Sequence, residues 1–194
     1  MKKVISLLCM CLILTSLGDI NVASAEQYTN NCIESFAENG TTIVFDANGG
    51  KGTMENGAVS DNYKLPKSKF KKSGYKFAGW CTAKENPNPD NFYKVGTEGY
   101  YLNFPDSTST LYAIWVKSKA YKISYDLGKG MKLSKSVKTY TSGKATKLPN
   151  IKDSDAFNGW MITINGQEYG PIYEVPPYMT GKIKLRPLMI GFEG

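Results

Sequence analysis

Any chemistry in this chain has to be built without histidine, because its 194 residues contain none. That removes Ser-His-Asp and Cys-His nucleophilic catalysis and every histidine-ligated metal site. Beyond the N-terminal apolar stretch the chain has two cysteines, Cys32 and Cys81, too few for a zinc site. A carboxylate pair or a Ser-Lys dyad is what remains for an enzyme. Asp46 and Asp126 are the obvious carboxylates, yet each ends an apolar run at a Gly-rich turn in a separate part of the chain. There a side-chain oxygen caps its own turn. Asn48-Gly49-Gly50-Lys51-Gly52-Thr53 offers glycines and a lysine. It lacks the four-residue spacing before Gly-Lys-Ser/Thr and the following helix that a phosphate loop needs, so it reads as a hairpin turn. No residue is assigned a catalytic, cofactor-binding or metal-binding role. The alternative is a small exported carbohydrate-active hydrolase, which would need two carboxylates roughly 5 to 9.5 Å apart.

Charge is the stronger signal. The formal net charge is +7, and Arg186 is the single arginine among 24 basic residues. Lysine is a well-hydrated point charge, whereas arginine is the fork that reads phosphates and base edges bidentately. Diffuse attraction to anionic polymers therefore fits better than sequence-specific nucleic-acid reading. Lys64, Lys67, Lys69, Lys71, Lys72 and Lys76 fall close together, interleaved with Phe70 and Tyr75. A second series, Lys117, Lys119, Lys122, Lys129, Lys132, Lys135 and Lys138, follows. The plain reading is a solvated lysine-rich surface; the sharper one is a basic face holding teichoic acid, sulfated glycan or another polyanion of the cell envelope or host, with an unidentified surface protein as the alternative partner. Tyr100-Tyr101, Phe92-Tyr93 and the tyrosines from Tyr169 to Tyr178 include rings suited to stacking on sugars, set against ordinary core and edge packing.

The elements that position these residues come twice. Thr42-Ile43-Val44-Phe45-Asp46, Leu65-Pro66 and Phe77-Ala78-Gly79-Trp80 are echoed by Tyr121-Lys122-Ile123-Ser124-Tyr125-Asp126, Leu148-Pro149 and Phe157-Asn158-Gly159-Trp160. Asp46 to Asp126 and Trp80 to Trp160 are both 80 residues apart. Such self-similarity is the mark of a repeat architecture. The β-branched and aromatic runs ending in Gly-rich turns predict strands, among them Thr110–Val116 and Lys182–Arg186. Met161–Ile164 followed by Asn165-Gly166 predicts a strand entering a hairpin. One helical turn is compatible with Lys67–Lys72 after the first Leu-Pro pair, and with the matching stretch after the second.

The N-terminus reads as an export signal: Lys2 and Lys3, an apolar stretch from Val4 to Leu17, and Ala23-Ser24-Ala25 before the cleavage point. The apolar run is too short to span a bilayer, and no later segment is long enough to do so. The expected organisation is a signal peptide at 1–25, a polar leader at 26–40, module one at 41–117 and module two at 118–190. The chain is placed outside the cell or in its envelope. Cys32 and Cys81 form one disulfide in an oxidising compartment or remain free thiols; spacing leaves both open. The joint Lys117-Ser118-Lys119 is short enough to demand packed or stiffly coupled modules.

With those motifs in view, the chain resembles the Listeria–Bacteroides repeat family, the internalin-type B repeat. Phe45-Asp46-Ala47-Asn48-Gly49-Gly50, Leu65-Pro66, Gly74-Tyr75-Lys76-Phe77-Ala78-Gly79-Trp80 and Thr110-Leu111-Tyr112-Ala113-Ile114-Trp115 carry the resemblance. The second copy is diverged, with Leu127-Gly128-Lys129 and Leu185-Arg186-Pro187 at signature positions. The resemblance implies a mostly β, β-grasp-like α+β module of exported and surface proteins, acting as an adhesive, binding or spacer unit without enzymatic activity. A purely architectural envelope module is the further alternative. Asp46, Gly49, Gly50, Trp80, Trp115, Asp126 and Trp160 then read as structural positions, with Trp80 and Trp115 in the core.

Overall fold

The computed structural model describes residues 41–102 and 104–190. The export signal, the polar leader and Cys32 lie outside the described residues. Module one contributes β1 (Thr42–Asp46), β2 (Gly57–Ala58), β3 (Lys76–Cys81), β4 (Phe92–Tyr93) and β5 (Thr108–Val116), with one short 3-10 turn at Gly99–Tyr101. Module two contributes β6 (Ala120–Tyr125), β7 (Thr139–Thr141), β8 (Thr146–Lys147), β9 (Phe157–Ile164), β10 (Gln167–Ile172), β11 (Glu174–Val175) and β12 (Ile183–Met189). The protein is mostly β.

Both modules build one sheet by the same rule. In module one the strand order is β2-β1-β5-β3-β4; in module two it is β7-β6-β12-β9-β10. In each, the first strand runs parallel to the last, Thr42 opposite Thr108 and Ile123 opposite Ile183. The last strand then pairs antiparallel with the strand that carries the tryptophan. Strands β8 and β11 add a small separate pair.

The tryptophans explain the repeated motifs. Trp80 and Trp160 are both fully buried, so each indole N–H must find an acceptor inside the protein. Trp80 Nε1 donates to the Pro66 carbonyl and Trp160 Nε1 to the Pro149 carbonyl, both at 2.8 Å. The Leu-Pro pair and the Gly-Trp pair are therefore two halves of one contact. Leu65 and Leu148 bury beside them. Aromatic partners recur too: Phe45 and Phe77 lie 4.6 and 4.9 Å from the Trp80 ring, while Tyr125 and Phe157 lie 4.9 and 5.2 Å from Trp160.

The glycine before each tryptophan is required by its conformation and by space. Gly79 has φ 152° and Gly159 φ 92°, and a Cβ on Gly79 would sit 2.3 Å from Phe92 Cζ. Beside both glycines the pairing with the last strand shifts register, between Phe77 and Gly79 and between Pro187 and Met189. Such bulges re-aim the side chains that follow. The Asn165-Gly166 hairpin forms as the sequence predicts, with φ 51° and 84° and Ile164 opposite Gln167, the geometry of a type I′ turn.

The predicted helical turns are absent. Phe70, 6% exposed, points at Trp80, while Lys69 and Lys71 on either side face solvent. This period of two belongs to extended chain. Lys71 also pairs with Lys51 through two backbone hydrogen bonds of 2.8 and 2.9 Å, and Leu133 bridges Ile151 in module two.

The modules are fused through a common core. Ala78, Cys81, Ile114 and Val116 of module one belong to the same buried cluster as Trp160, Ile162, Tyr178 and Leu185 of module two. Trp80 and Leu111 anchor a second cluster on the other face of the first sheet. The joint is tied by Ser142, 1% exposed, which donates to the Lys117 carbonyl at 2.6 Å and accepts from Lys119 N at 3.1 Å.

Replacing either indole strands a proline carbonyl and leaves a void. Trp80→Phe and Trp160→Phe should each lower unfolding free energy by about 2–3 kcal/mol. Because the core is shared, denaturant unfolding of the parent chain followed by fluorescence and by circular dichroism should give one coincident transition.

Alkali should unfold the protein in a defined window. Burial pushes the Tyr125 and Tyr140 phenols up from 10.0 to about 12, and their hydroxyls donate to the carbonyls of Val137 and Gly181. In the unfolded chain these groups lose their protons near pH 10 and in the folded one only near 12, so the unfolded state binds fewer protons between those values. The stability they confer is whole below pH 10 and is lost as pH rises towards 12. A pH titration should show part of the tyrosinate absorbance appearing together with loss of fold.

Candidate functional site

The local backbone separates the lysine cluster into a row of three and three lysines with roles of their own. Lys67, Lys69 and Lys71 alternate with half-buried Ser68 and buried Phe70, so all three point outward. Residues two apart on an extended strand are spaced by about 7 Å, which makes a regular row of ammonium groups. The row is held by the burial of Phe70 and by Lys69 N, which donates to Met54 Sδ at 3.3 Å.

Lys51 extends this row. It lies directly across from Lys71 in an antiparallel bridge and is exposed. Sequence spacing alone misses it, because it belongs to the preceding turn. The signal that finds it is the hairpin itself, which folds Asn48–Thr53 back along the lysine segment. None of the ion pairs among the described residues involves Lys51, Lys67, Lys69 or Lys71.

The other three lysines of the cluster have separate duties. Lys64 pairs with Glu98 at 3.1 Å. Lys72 is half-buried, donates to the Asn48 carbonyl at 3.3 Å and lies 5.1 Å from the centre of the Tyr75 ring. Lys76 opens β3, and its stem packs beside Gly143 of module two. In the second series Lys117 lies over Tyr75 and Lys119 over Tyr121.

The two aspartates part company. Asp46 Oδ1 accepts from Asn48 N at 2.7 Å, capping the turn in which Asn48 and Gly49 have φ 46° and 78°. Gly50 completes that turn, with its N–H on the Ala47 carbonyl and no room for a Cβ against Trp115. Asp126 instead pairs with Lys184 at 2.8 Å. In place of the expected capping contact the carboxylate meets the neighbouring strand, and the turn behind it runs from Gly128 to Met131, one residue later than the Ala47–Gly50 turn of module one. Each carboxylate is thus committed to its own module.

Cys81 is fully buried at the seam between the modules. Its Sγ donates to Asn91 Oδ1 at 3.2 Å, and burial pushes its pKa up. The Asn86–Asp90 loop is tied to this cysteine through Asn91, whose Oδ1 also accepts from Asn88 N.

Trp115 packs against the edge of the module-one core rather than within it. It is half-buried, donates from Nε1 to the Ala47 carbonyl at 2.8 Å, and forms part of the wall of an open cleft of about 380 Å³ with Lys72, Lys84 and Tyr178. The other aromatics divide cleanly. Phe92 and Tyr178 pack on each other at 4.6 Å, and Tyr93 packs on Phe104. Tyr100, Tyr101 and Tyr173 stand 73%, 66% and 54% exposed.

Among the described residues no group of three or more metal-ligating side chains converges, and no helix is long and apolar enough to cross a membrane. No curated protein and no solved structure matches the chain. One family model does match, over residues 42–114, and its description is the Listeria-Bacteroides repeat domain. The matched span runs from the first residue of β1 into β5 and holds the Asp46 turn, the lysine row and Trp80. Module one of this chain is therefore a Listeria–Bacteroides repeat, a domain typical of extracellular and surface proteins.

Proposed function

We propose that this is an exported, non-enzymatic surface protein that binds anionic polymers along the row formed by Lys51, Lys67, Lys69 and Lys71. The observation that carries this reading is the row itself: Lys67, Lys69 and Lys71 face outward at about 7 Å intervals along an extended backbone fixed by buried Phe70, with Lys51 directly across from Lys71. Like charges held side by side, with no acidic partner among the described residues, repel one another, and a polyanion laid along them relieves that repulsion while releasing its counterions. A regular row suits a polymer with repeating charges, such as teichoic acid or a sulfated glycan, better than a single small anion. The family match supports the extracellular setting, and Ala23-Ser24-Ala25 supplies the export route, with mature protein starting at Glu26.

The test is retention of the purified chain on immobilised lipoteichoic acid and on heparin, eluted with a salt gradient. Retention at low salt should collapse as salt rises, because exposed charges more than about 10 Å apart are screened near 0.1 M. Lys67→Glu/Lys69→Glu/Lys71→Glu should elute far earlier than the parent and lower the slope of log K against log salt by about 2. Lys122→Glu/Lys135→Glu/Lys138→Glu, an equal change of charge at exposed positions of module two, should elute close to the parent. Equal losses in both variants would reduce the row to general surface charge, and no retention at low salt would overturn the reading.

A further inference from the structure

Strand β1 ends at Asp46, opposite Tyr112, whereas its neighbour β5 runs on from Ala113 to Val116. That continued stretch borders the open cleft of about 380 Å³. Module one contributes Lys72, Lys84, Glu85 and Trp115 to its lining, and module two contributes Tyr178 and Thr180.

The frame of the cleft is fixed by contacts made within the protein. The Asn48 side-chain amide donates to the Lys84 carbonyl at 2.9 Å and to the Ala113 carbonyl at 3.1 Å, tying the loop after β3 to the end of β5. On the side of module two, the Tyr178 ring packs on Phe92 at 4.6 Å. Walls whose groups are already placed leave less ordering to be done when a ligand enters.

The chemistry of the lining is mixed in a particular way. Lys72 Nζ is held by the Asn48 carbonyl at 3.3 Å, and Lys84 Nζ lies 5.3 Å from the centre of the Tyr112 ring. None of the ion pairs among the described residues involves Lys72, Lys84 or Glu85. Trp115 adds apolar ring surface, since its N–H is already committed to the Ala47 carbonyl. Glu85 and Thr180 are exposed and offer hydrogen-bonding groups to hydroxyls. A bare anion would use the lysines and leave the indole idle, and a neutral sugar would leave both ammonium groups uncompensated. A carboxylated sugar uses every part: its carboxylate takes charge-assisted hydrogen bonds, its ring lies against the apolar wall, and its hydroxyls meet the polar side chains. The volume stands at the small end of the roughly 300–1,000 Å³ usual for small-ligand sites, which suits one sugar residue better than a polymer lying across it.

We propose that this cleft is a binding site for a single hexuronate residue, a sugar ring bearing one carboxylate. It shares no lysine with the row of Lys51, Lys67, Lys69 and Lys71, and it stands whether or not that row binds a polymer.

Saturation-transfer difference NMR of glucuronate with the purified chain, at near-physiological salt, tests this. The ring protons of glucuronate should receive saturation, and those of methyl glucoside at the same concentration should not. Lys84→Gln, at an exposed position, should remain folded by circular dichroism and bind glucuronate about tenfold more weakly. Lys67→Glu/Lys69→Glu/Lys71→Glu, which dismantles the row, should bind it within about twofold of the parent, because salt screens charges that do not touch the ligand. No saturation on glucuronate would overturn the inference, as would an equal response from methyl glucoside or an unchanged Lys84→Gln. Displacement of glucuronate by equimolar sulfate would reduce the cleft to a general anion site and overturn it too. So would a row variant weakened as much as Lys84→Gln.

Discussion

A buried indole N–H cannot be left without a partner, and the fold is organised around that requirement. In each module the carbonyl that answers it belongs to a proline lying before the tryptophan, reached only if the intervening chain runs back across the sheet. This one contact fixes the path of the Leu-Pro segment, brings Leu65 or Leu148 into the core, and sets the tryptophan in its aromatic surround. The glycine before it is part of the same constraint, since the backbone there adopts a conformation and a closeness that a side chain would obstruct. In module one, the lysine row is a by-product of that path. Once Pro66 is held by Trp80 and Phe70 is pulled beneath, the residues between them can only alternate, and lysines occupy the outer positions.

Much of this was legible in the sequence. The 80-residue spacing of Asp46 to Asp126 and of Trp80 to Trp160 has its counterpart in two five-stranded sheets of the same strand order. The strands β1, β5, β6 and β12 lie where β-branched and aromatic runs placed them, and Asn165-Gly166 turns as its chemistry requires. What failed was local judgement where tertiary contact decides. Lys67–Lys72 has no strong preference of its own, so its conformation is imposed by Trp80 and by the bridge to Lys51. Asp126 looked like Asp46 by position, but the turn behind it is closed one residue later, from Gly128 to Met131, and Lys184 holds the carboxylate.

The site was legible only in part, for a related reason. Density of lysines in sequence does not separate those aimed at solvent together from those spent on structure. Lys64 and Lys72 were counted with the row but serve Glu98 and the Asn48 carbonyl, while Lys51 was not counted and stands beside Lys71. Cross-strand neighbours are invisible until register is known. The fused core was foreshadowed only by the brevity of Lys117-Ser118-Lys119; the burial of Ile114, Val116 and Cys81 under another module has no signature that distinguishes it from burial within their own.

The parallel pairing of first and last strands has a mechanical meaning. A chain tethered by its ends transmits tension into β1 and β5 in one module, and into β6 and β12 in the other. Because those strands lie side by side pointing the same way, pulling on them slides one along the other, and their slanted, evenly spaced hydrogen bonds bear the load together. Strands pulled apart from one end would instead break their bonds singly. With a core spanning both modules and Ser142 clamping the joint, neither module can begin to yield without straining the other. Tension along such a chain would load both modules in shear rather than by peeling.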